Sequence, residues 1–438
     1  MIASDTKQLV SADNGWWLRA NFYSLYIDKF NGDINGLTDK LTYFTELGID
    51  ALHIMPHYPS PLRDGGYDIT DHTGVRTELG SVADFEHLCT AAHARNIKIV
   101  VDLVLNHVSC DHPWFVEARQ STDNPKREYF LWSNTAMEYK DAPNVFPDFK
   151  DSNWIPNAAT QDYYYATFKP SQPDLNWSNP AVLAEMLSVI DTLISYGVDG
   201  FRLDAIMNLV ERDGTNSVGL PETHARIRDV RSHLDANYTD IILLGEVIGT
   251  TDYSRQYFGE SDECHLSYNF ELMAETLYAL VIGGKTERLK AVLEASKALP
   301  PGASWAAFLR NHDSLTLSTL DTNRHHELLR AIDAKKEFAF NKGAETVQRL
   351  FDICDQDETL VREAFSMLYA IPSATVMYYG DEIGMTNAPL PPDEDDMRYV
   401  VRAPFDWGEA KRQKRDPHSL LQHVKACIAG RKNLPSSA

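Results

Sequence analysis

Four short stretches carry charged side chains at the ends of runs that read as buried strands. They are Asp102-Leu-Val-Leu-Asn-His107, Gly200-Phe-Arg-Leu-Asp204, Leu244-Gly-Glu246 and Leu309-Arg-Asn-His-Asp313. Packing alone gives a buried strand no reason to end in Asp, Arg or Glu four times over; chemistry at an acetal carbon does. Breaking an α-glucosidic bond with retention needs one carboxylate to attack the anomeric carbon. A second carboxyl, about 5–5.5 Å away, must protonate the departing oxygen. Asp204 and Glu246 end neighbouring strand runs and suit that pair. Arg202 lies two residues before Asp204, on the same strand face, where it can hold the carboxylate ionised and aimed. The acid has to stay protonated near neutrality, so burial and nearby negative charge are expected to raise Glu246. Asp313 is a third carboxylate. Fixed acceptors beside ring hydroxyls bind a flattened, oxocarbenium-like state more tightly than the ground state. His107 and His312 supply further hydroxyl partners.

These residues need a frame that brings strand ends together. Eight strand runs are legible: 21–27, 51–55, 97–101, 200–203, 241–244, 265–270, 305–309 and 375–379. Amphipathic stretches alternate with them. Leu37, Leu41, Phe44 and Leu47 recur at helical spacing before Gly48; Val82, Phe85, Leu88 and Ala92 before Asn96; Val182, Met186, Ile190 and Leu193 before Gly197. Eight βα units predict a (β/α)8 TIM barrel, an α/β fold whose chemistry sits at the C-terminal strand ends. The barrel is expected in two parts, strands 1–3 over 1–105 and strands 4–8 over 177–438. Between them, 106–176 holds Trp114, Phe115, Tyr129, Trp132, Trp154 and Tyr163 to Tyr165, an aromatic load that predicts a small β-rich subdomain. A second excursion, about 321–351, reads as a helical lid or a solvated loop. Ser419–Ile428 reads as the eighth helix, with no β-sandwich domain expected after it.

The net charge of -22 argues against nucleic acid or an anionic membrane as partner. Five scattered cysteines without a CxxC spacing predict reduced thiols rather than a disulfide framework or zinc site. The opening residues lack a basic-then-apolar leader and no run is long enough to span a bilayer, so a cytoplasmic location is expected. The sequence leaves the oligomeric state unread.

Taken with Gly48-Ile-Asp-Ala-Leu-His-Ile-Met-Pro56, Gln172-Pro-Asp-Leu-Asn176 and Gly380-Asp-Glu-Ile-Gly384, the four motifs resemble the α-amylase superfamily of retaining α-glycosidases, glycoside hydrolase family 13. The resemblance implies Asp204 as nucleophile, Glu246 as acid/base and Asp313 as transition-state stabiliser. It also implies Asp64, Tyr67, His107, Arg202 and His312 around the sugar ring, with Tyr67 as stacking platform and Arg402 as a further arginine of the pocket. Gln172-Pro-Asp-Leu-Asn176 resembles the oligo-1,6-glucosidase, sucrose-using and trehalose synthase branches, and Tyr58-Pro-Ser-Pro-Leu-Arg-Asp-Gly-Gly-Tyr67, Gly214-Thr-Asn216, Leu220-Pro-Glu-Thr-His224 and Asp262-Glu-Cys-His265 are similar to trehalose synthases. The chain departs from that branch in the Val-Ile-Gly after Glu246 and in a shortened Phe30-Asn-Gly-Asp-Ile34 loop.

The implied activity is a retaining α-glucosidase-type cleavage of short α-glucosides such as maltose, sucrose or trehalose, with or without transfer to another sugar. A maltose/trehalose isomerase is the alternative of the same chemistry. A catalytically inactive barrel acting as a binding subunit is the alternative of another class, opposed by the intact carboxylates. No cofactor is required for the chemistry. Asn106, Asp174 and Glu211, with the backbone at Asn208 and Leu209, match positions of a structural calcium in trehalose synthases; the alternative is a hydrogen-bonded polar seam without an ion.

Overall fold

The computed structural model describes residues 15–284 and 286–431. Eight strands form its centre: β1 (Asn21–Leu25), β2 (Ala51–Ile54), β3 (Lys98–Val104), β4 (Gly200–Asp204), β5 (Ile242–Gly245), β6 (Leu266–Tyr268), β7 (Ser304–Phe308) and β8 (Ala374–Tyr378). They close into a barrel in which sequence neighbours are spatial neighbours and β8 returns to β1. Every pairing is parallel. The strands are buried almost throughout, which is why they read as continuous apolar runs rather than as alternating ones. All eight sequence runs land on them.

Register sets the height at which the charged residues emerge. Asp102 of β3 pairs with Arg202 of β4, and Leu203 pairs with Gly245 of β5. Asp204 and Glu246 therefore leave adjacent strands at the same level.

The helices that jacket the barrel follow the apolar spacing. On Pro180–Ser195, Val182, Met186, Ile190 and Leu193 are buried, and the Asn179 side chain caps the start by accepting from Ala181 N. On Val82–His93, Ser81 and Asp84 form a reciprocal capping box. The run from Leu37 to Leu47 divides instead into Ile34–Asp39 and Leu41–Leu47, hinged at Lys40 (φ -97°, ψ 1°). Gly36 and Thr38 weaken the first piece; the Thr38 hydroxyl donates back to Ile34 O. Gly48 ends the second piece in the left-handed region at φ 91°.

Between β3 and the Pro180 helix the chain builds a small unit of its own. Its three-stranded antiparallel sheet runs Trp132–Ser133, Asp162–Tyr165, Trp154–Asn157. Phe115 packs against Phe130, Trp132 and Tyr164 beneath it. The excursion after β7 is not a solvated loop, and it is helical only in part. It forms a helix (Thr322–Ile332) and a two-stranded hairpin (Ala339–Phe340, Glu345–Thr346). Phe340 and Val347 join Val400 and Val401 in a second apolar cluster, with Phe146 and Phe149 of the inserted unit packed on it. Leu420–Gly430 is the last described helix, capped by Ser419. The five cysteines are free, and among the described residues no helix is long and apolar enough to cross a membrane.

Candidate active site

The strand ends deliver nine of the expected residues to one place, and Arg202 is the hub. Its Nη1 donates to Asp102 Oδ1 at 2.7 Å and to Asp204 Oδ1, while Nη2 meets Glu246 Oε1 at 2.5 Å. Both candidate catalytic carboxyls thus hang on one guanidinium. Two hydrogen bonds and the guanidinium width bound the gap between their nearest oxygens at about 7 Å, compatible with a retaining pair. Ala205 is held left-handed (φ 48°), a conformation that costs a non-glycine residue about 1 kcal/mol. In that geometry its N–H donates to Glu246 Oε2 at 3.1 Å.

Electrostatics at the pair differ from the simple expectation. Burial raises Glu246, with Arg202 opposing and the charges of Asp313 and Asp102 adding to the rise. Burial also raises Asp204, and Arg202 does not overcome it, because that guanidinium is shared with Glu246 and Asp102. The two carboxyls share one cation, so they titrate as a pair rather than singly.

The remaining groups line the same mouth. His312 Nε2 lies 3.0 Å from Asp313 Oδ2, and Arg402 Nη2 donates to Asp313 Oδ1 at 3.1 Å. Burial pushes His312 well below its usual range, helped by Arg402 and Arg202. Burial likewise takes His107 down to about 4, so both imidazoles are neutral. Tyr67 stacks on His312 (centroids 5.2 Å, 8° between planes), and its hydroxyl lies 3.3 Å from Asp102 Oδ2. Gln172 Nε2 sits 2.9 Å from both Asp64 Oδ2 and His107 Nε2. Burial alone would raise Asp64; Arg398 and Lys169 outweigh it and hold the carboxyl below its usual range.

Several of these partners went unread in the sequence. Asp102 and Gln172 stood inside recognised motifs without an assigned role. Asp102 anchors Arg202 and bonds His53 Nε2 at 3.0 Å. Arg398 and Lys169 stood in no motif, and no local signal marked them.

The calcium expectation can be tested on its donors. Asp174 accepts from Thr167 N at 3.0 and 3.1 Å and lies beside the Asn106 side chain and the Glu211 carboxyl. Burial pushes Asp174 up to about 7 and Glu211 well above its usual range. Asn106 Oδ1 is buried without a partner. Lys150 Nζ lies in the same seam, bonded to Asn153 Oδ1 and Thr167 O at 2.8 Å each, and burial takes it down to about 7. Asn208 and Leu209 follow β4 in a short turn. Among the described residues no group of three or more His, Cys, Asp or Glu is placed to hold a metal. The donor set is instead two buried carboxyls and an orphaned amide oxygen, hard ligands of the kind calcium takes, with the Lys150 ammonium beside them.

A closed parallel barrel with carboxylates, arginine and neutral histidines gathered at its strand ends is an enzyme of the glycosidase and glycosyl-transfer class. The chain belongs to the alpha-amylase family: the alpha amylase catalytic domain model matches residues 6–347. It is 39% identical over 408 residues to the trehalose synthase/amylase TreS of Mycobacterium tuberculosis, covering 90% of this chain and 67% of that protein. It is 31% identical over 405 residues to the oligo-1,6-glucosidase of Heyndrickxia coagulans, covering 87% and 69%. Among solved structures it resembles the alpha-glucosyl transfer enzyme XgtA, with a TM-score of 0.77 at 25% identity over 96% of this chain and 85% of that one.

Proposed function

We propose that the protein transfers α-glucosyl groups of short α-glucosides by double displacement and interconverts maltose and trehalose. Asp204 attacks the anomeric carbon while the carboxyl of Glu246 gives its proton to the departing sugar oxygen, leaving a glucosyl ester on Asp204. The released glucose turns within the pocket and presents its anomeric hydroxyl. Glu246, now a carboxylate, takes that proton as the oxygen attacks the ester, and Asp204 departs. Asp313 and Asp64 accept from ring hydroxyls, and the neutral His107 and His312 share in holding them.

The observation that carries the isomerase over the hydrolase is enclosure. The side chains of Asp204 and Glu246 are 13% and 12% exposed, and Phe146 and Phe340, from two separate excursions, meet edge to face over Arg398, which bonds Asp313 of the same site. An enclosed pocket keeps the released sugar in and water out. A relative named trehalose synthase, 36% identical over 399 residues, supports the same choice. Product analysis from pure maltose tests it: mainly trehalose is expected, and mainly glucose would return the reading to a hydrolytic α-glucosidase. Asp204→Asn and Glu246→Gln should each abolish turnover; substantial residual activity in both would refute the assigned roles.

Calcium, if bound between Asn106, Asp174 and Glu211, would neutralise the paired carboxyls and tie the inserted unit to the barrel. The expected result is a melting transition that falls on chelation; an unchanged transition assigns the seam to hydrogen bonding and Lys150.

A further inference from the structure

Arg398 lies outside every motif that marked the site, yet its contacts join four separate parts of the barrel mouth. Its Nη1 donates to Asp313 Oδ1 at 3.2 Å, after β7. Its Nη2 donates to Asp64 Oδ1, after β2. Its Nε donates to Asp396 Oδ1 at 2.9 Å within its own segment after β8. Asp396 in turn accepts from Lys169 of the inserted unit at 2.8 Å, and Lys169 Nζ also reaches Arg63 O at 2.8 Å and Asp64 at 3.5 Å. Three carboxylates (Asp64, Asp313, Asp396) thus face three cations (Arg398, Arg402, Lys169), and Glu345 of the hairpin, raised by burial, stands beside Asp313 and Arg398.

Two aromatic rings cover this network. The Arg398 guanidinium lies 5.0 Å from the Phe146 ring centre and 5.4 Å from that of Phe340. Phe146 and Phe340 pack edge to face at 5.9 Å, so the inserted unit and the hairpin after β7 touch each other across the arginine. Opening the mouth would expose apolar surface and strand buried carboxylates at once, both of which are costly.

We infer that Arg398 is the latch of the pocket mouth, a positioning residue that holds Asp64 and Asp313 beneath Phe146 and Phe340 and so decides whether the glucosyl group goes to the retained sugar or to water. The inference rests on the transfer reading above. Asp313 keeps lone pairs for a sugar hydroxyl while bonded to Arg398, Arg402 and His312, since a carboxylate offers about four acceptor sites. The latch can therefore stay shut with substrate beneath it.

The test compares the wild type with Arg398→Gln, Arg398→Lys and Phe340→Ala on maltose, measuring the ratio of glucose to trehalose, KM, kcat and the melting temperature. Arg398→Gln should raise the hydrolysed fraction by about tenfold, the change that one lost charged contact in a transition state brings. KM should rise with it, and Arg398→Lys should recover part of both. Phe340→Ala keeps every charge in place but uncovers the latch, so it should raise the hydrolysed fraction with a smaller change in KM. It also decides the matter if Arg398→Gln fails to fold. A ratio unchanged in the folded variants, with kcat falling equally for both products, would overturn the latch while leaving transfer intact. A wild type that yields glucose alone would overturn the transfer reading and the latch together.

Discussion

Replacing Glu382 with glutamine should stabilise the protein at pH 8 and much less at pH 5. The carboxyl follows β8, and its Oε1 accepts the hydroxyls of Tyr23 of β1 at 2.6 Å and Tyr43 of the neighbouring helix at 2.7 Å. Its Oε2 is buried without a partner. Burial raises the group from 4.5 to about 7, with the two tyrosine hydrogen bonds working the other way. An acid raised on folding binds its proton more tightly in the folded state. Its contribution is full below 4.5 and is lost as pH climbs through about 7. At about 1.36 kcal/mol per pH unit, that interval amounts to an upper bound of about 3 kcal/mol. Glutamine mimics the protonated acid in shape and keeps an oxygen for the tyrosines, yet never ionises. Urea denaturation of both proteins at pH 5 and pH 8 reads the difference directly. The advantage of Glu382→Gln should be small at pH 5 and several times larger at pH 8; a gap that ignores pH would refute the reasoning.

Asp102→Asn preserves shape but loosens the grip on Arg202, so kcat/KM should fall by about tenfold to a hundredfold, the value of one charge-assisted hydrogen bond. Steady-state kinetics on an activated α-glucoside checks this, and unimpaired kinetics would remove Asp102 from the positioning role. Gly65→Ala would place a Cβ 2.3 Å from Arg402 Nη1 at a backbone of φ 59°. Displacing Arg402 from Asp313 should lower kcat/KM, with about 1 kcal/mol of lost stability from the left-handed alanine. Lys150→Met would remove the one ammonium bonded to Asn153, Ala166 and Thr167 in the seam beside Asp174. The variant should melt lower than the wild type and gain more from added calcium, which thermal melts with and without the ion would reveal.

The sequence was most readable where burial is complete. Strands such as Gly200–Asp204 and Ile242–Gly245 are enclosed on both sides, so an apolar run leading into a charge stood out, and Asp204 and Glu246 lie at their ends. Reading failed where the relevant partner is remote. Arg398 sits among acidic residues that suggest a solvated loop, and its contacts with Asp64 and Asp313 span 334 and 85 positions. The hairpin after β7 was hidden in a similar way. Phe338, Phe340 and Val347 lie among Lys and Glu, so the segment averages as polar although these side chains serve a cluster. The division at Lys40 escaped because hydrophobic spacing continues across it: Leu37 and Leu41 both face the core. Apolar periodicity reports which side is buried, not whether the backbone is continuous.

The single guanidinium of Arg202, bonded to Asp102, Asp204 and Glu246 together, makes the proton affinities of the two reacting carboxyls inseparable. A substitution that eases ionisation of one by moving this cation must act on its neighbour as well. Breeding the enzyme for a more acidic or alkaline working range would therefore progress fastest through residues that contact one carboxyl alone, the Ala205 amide at Glu246 being the nearest example.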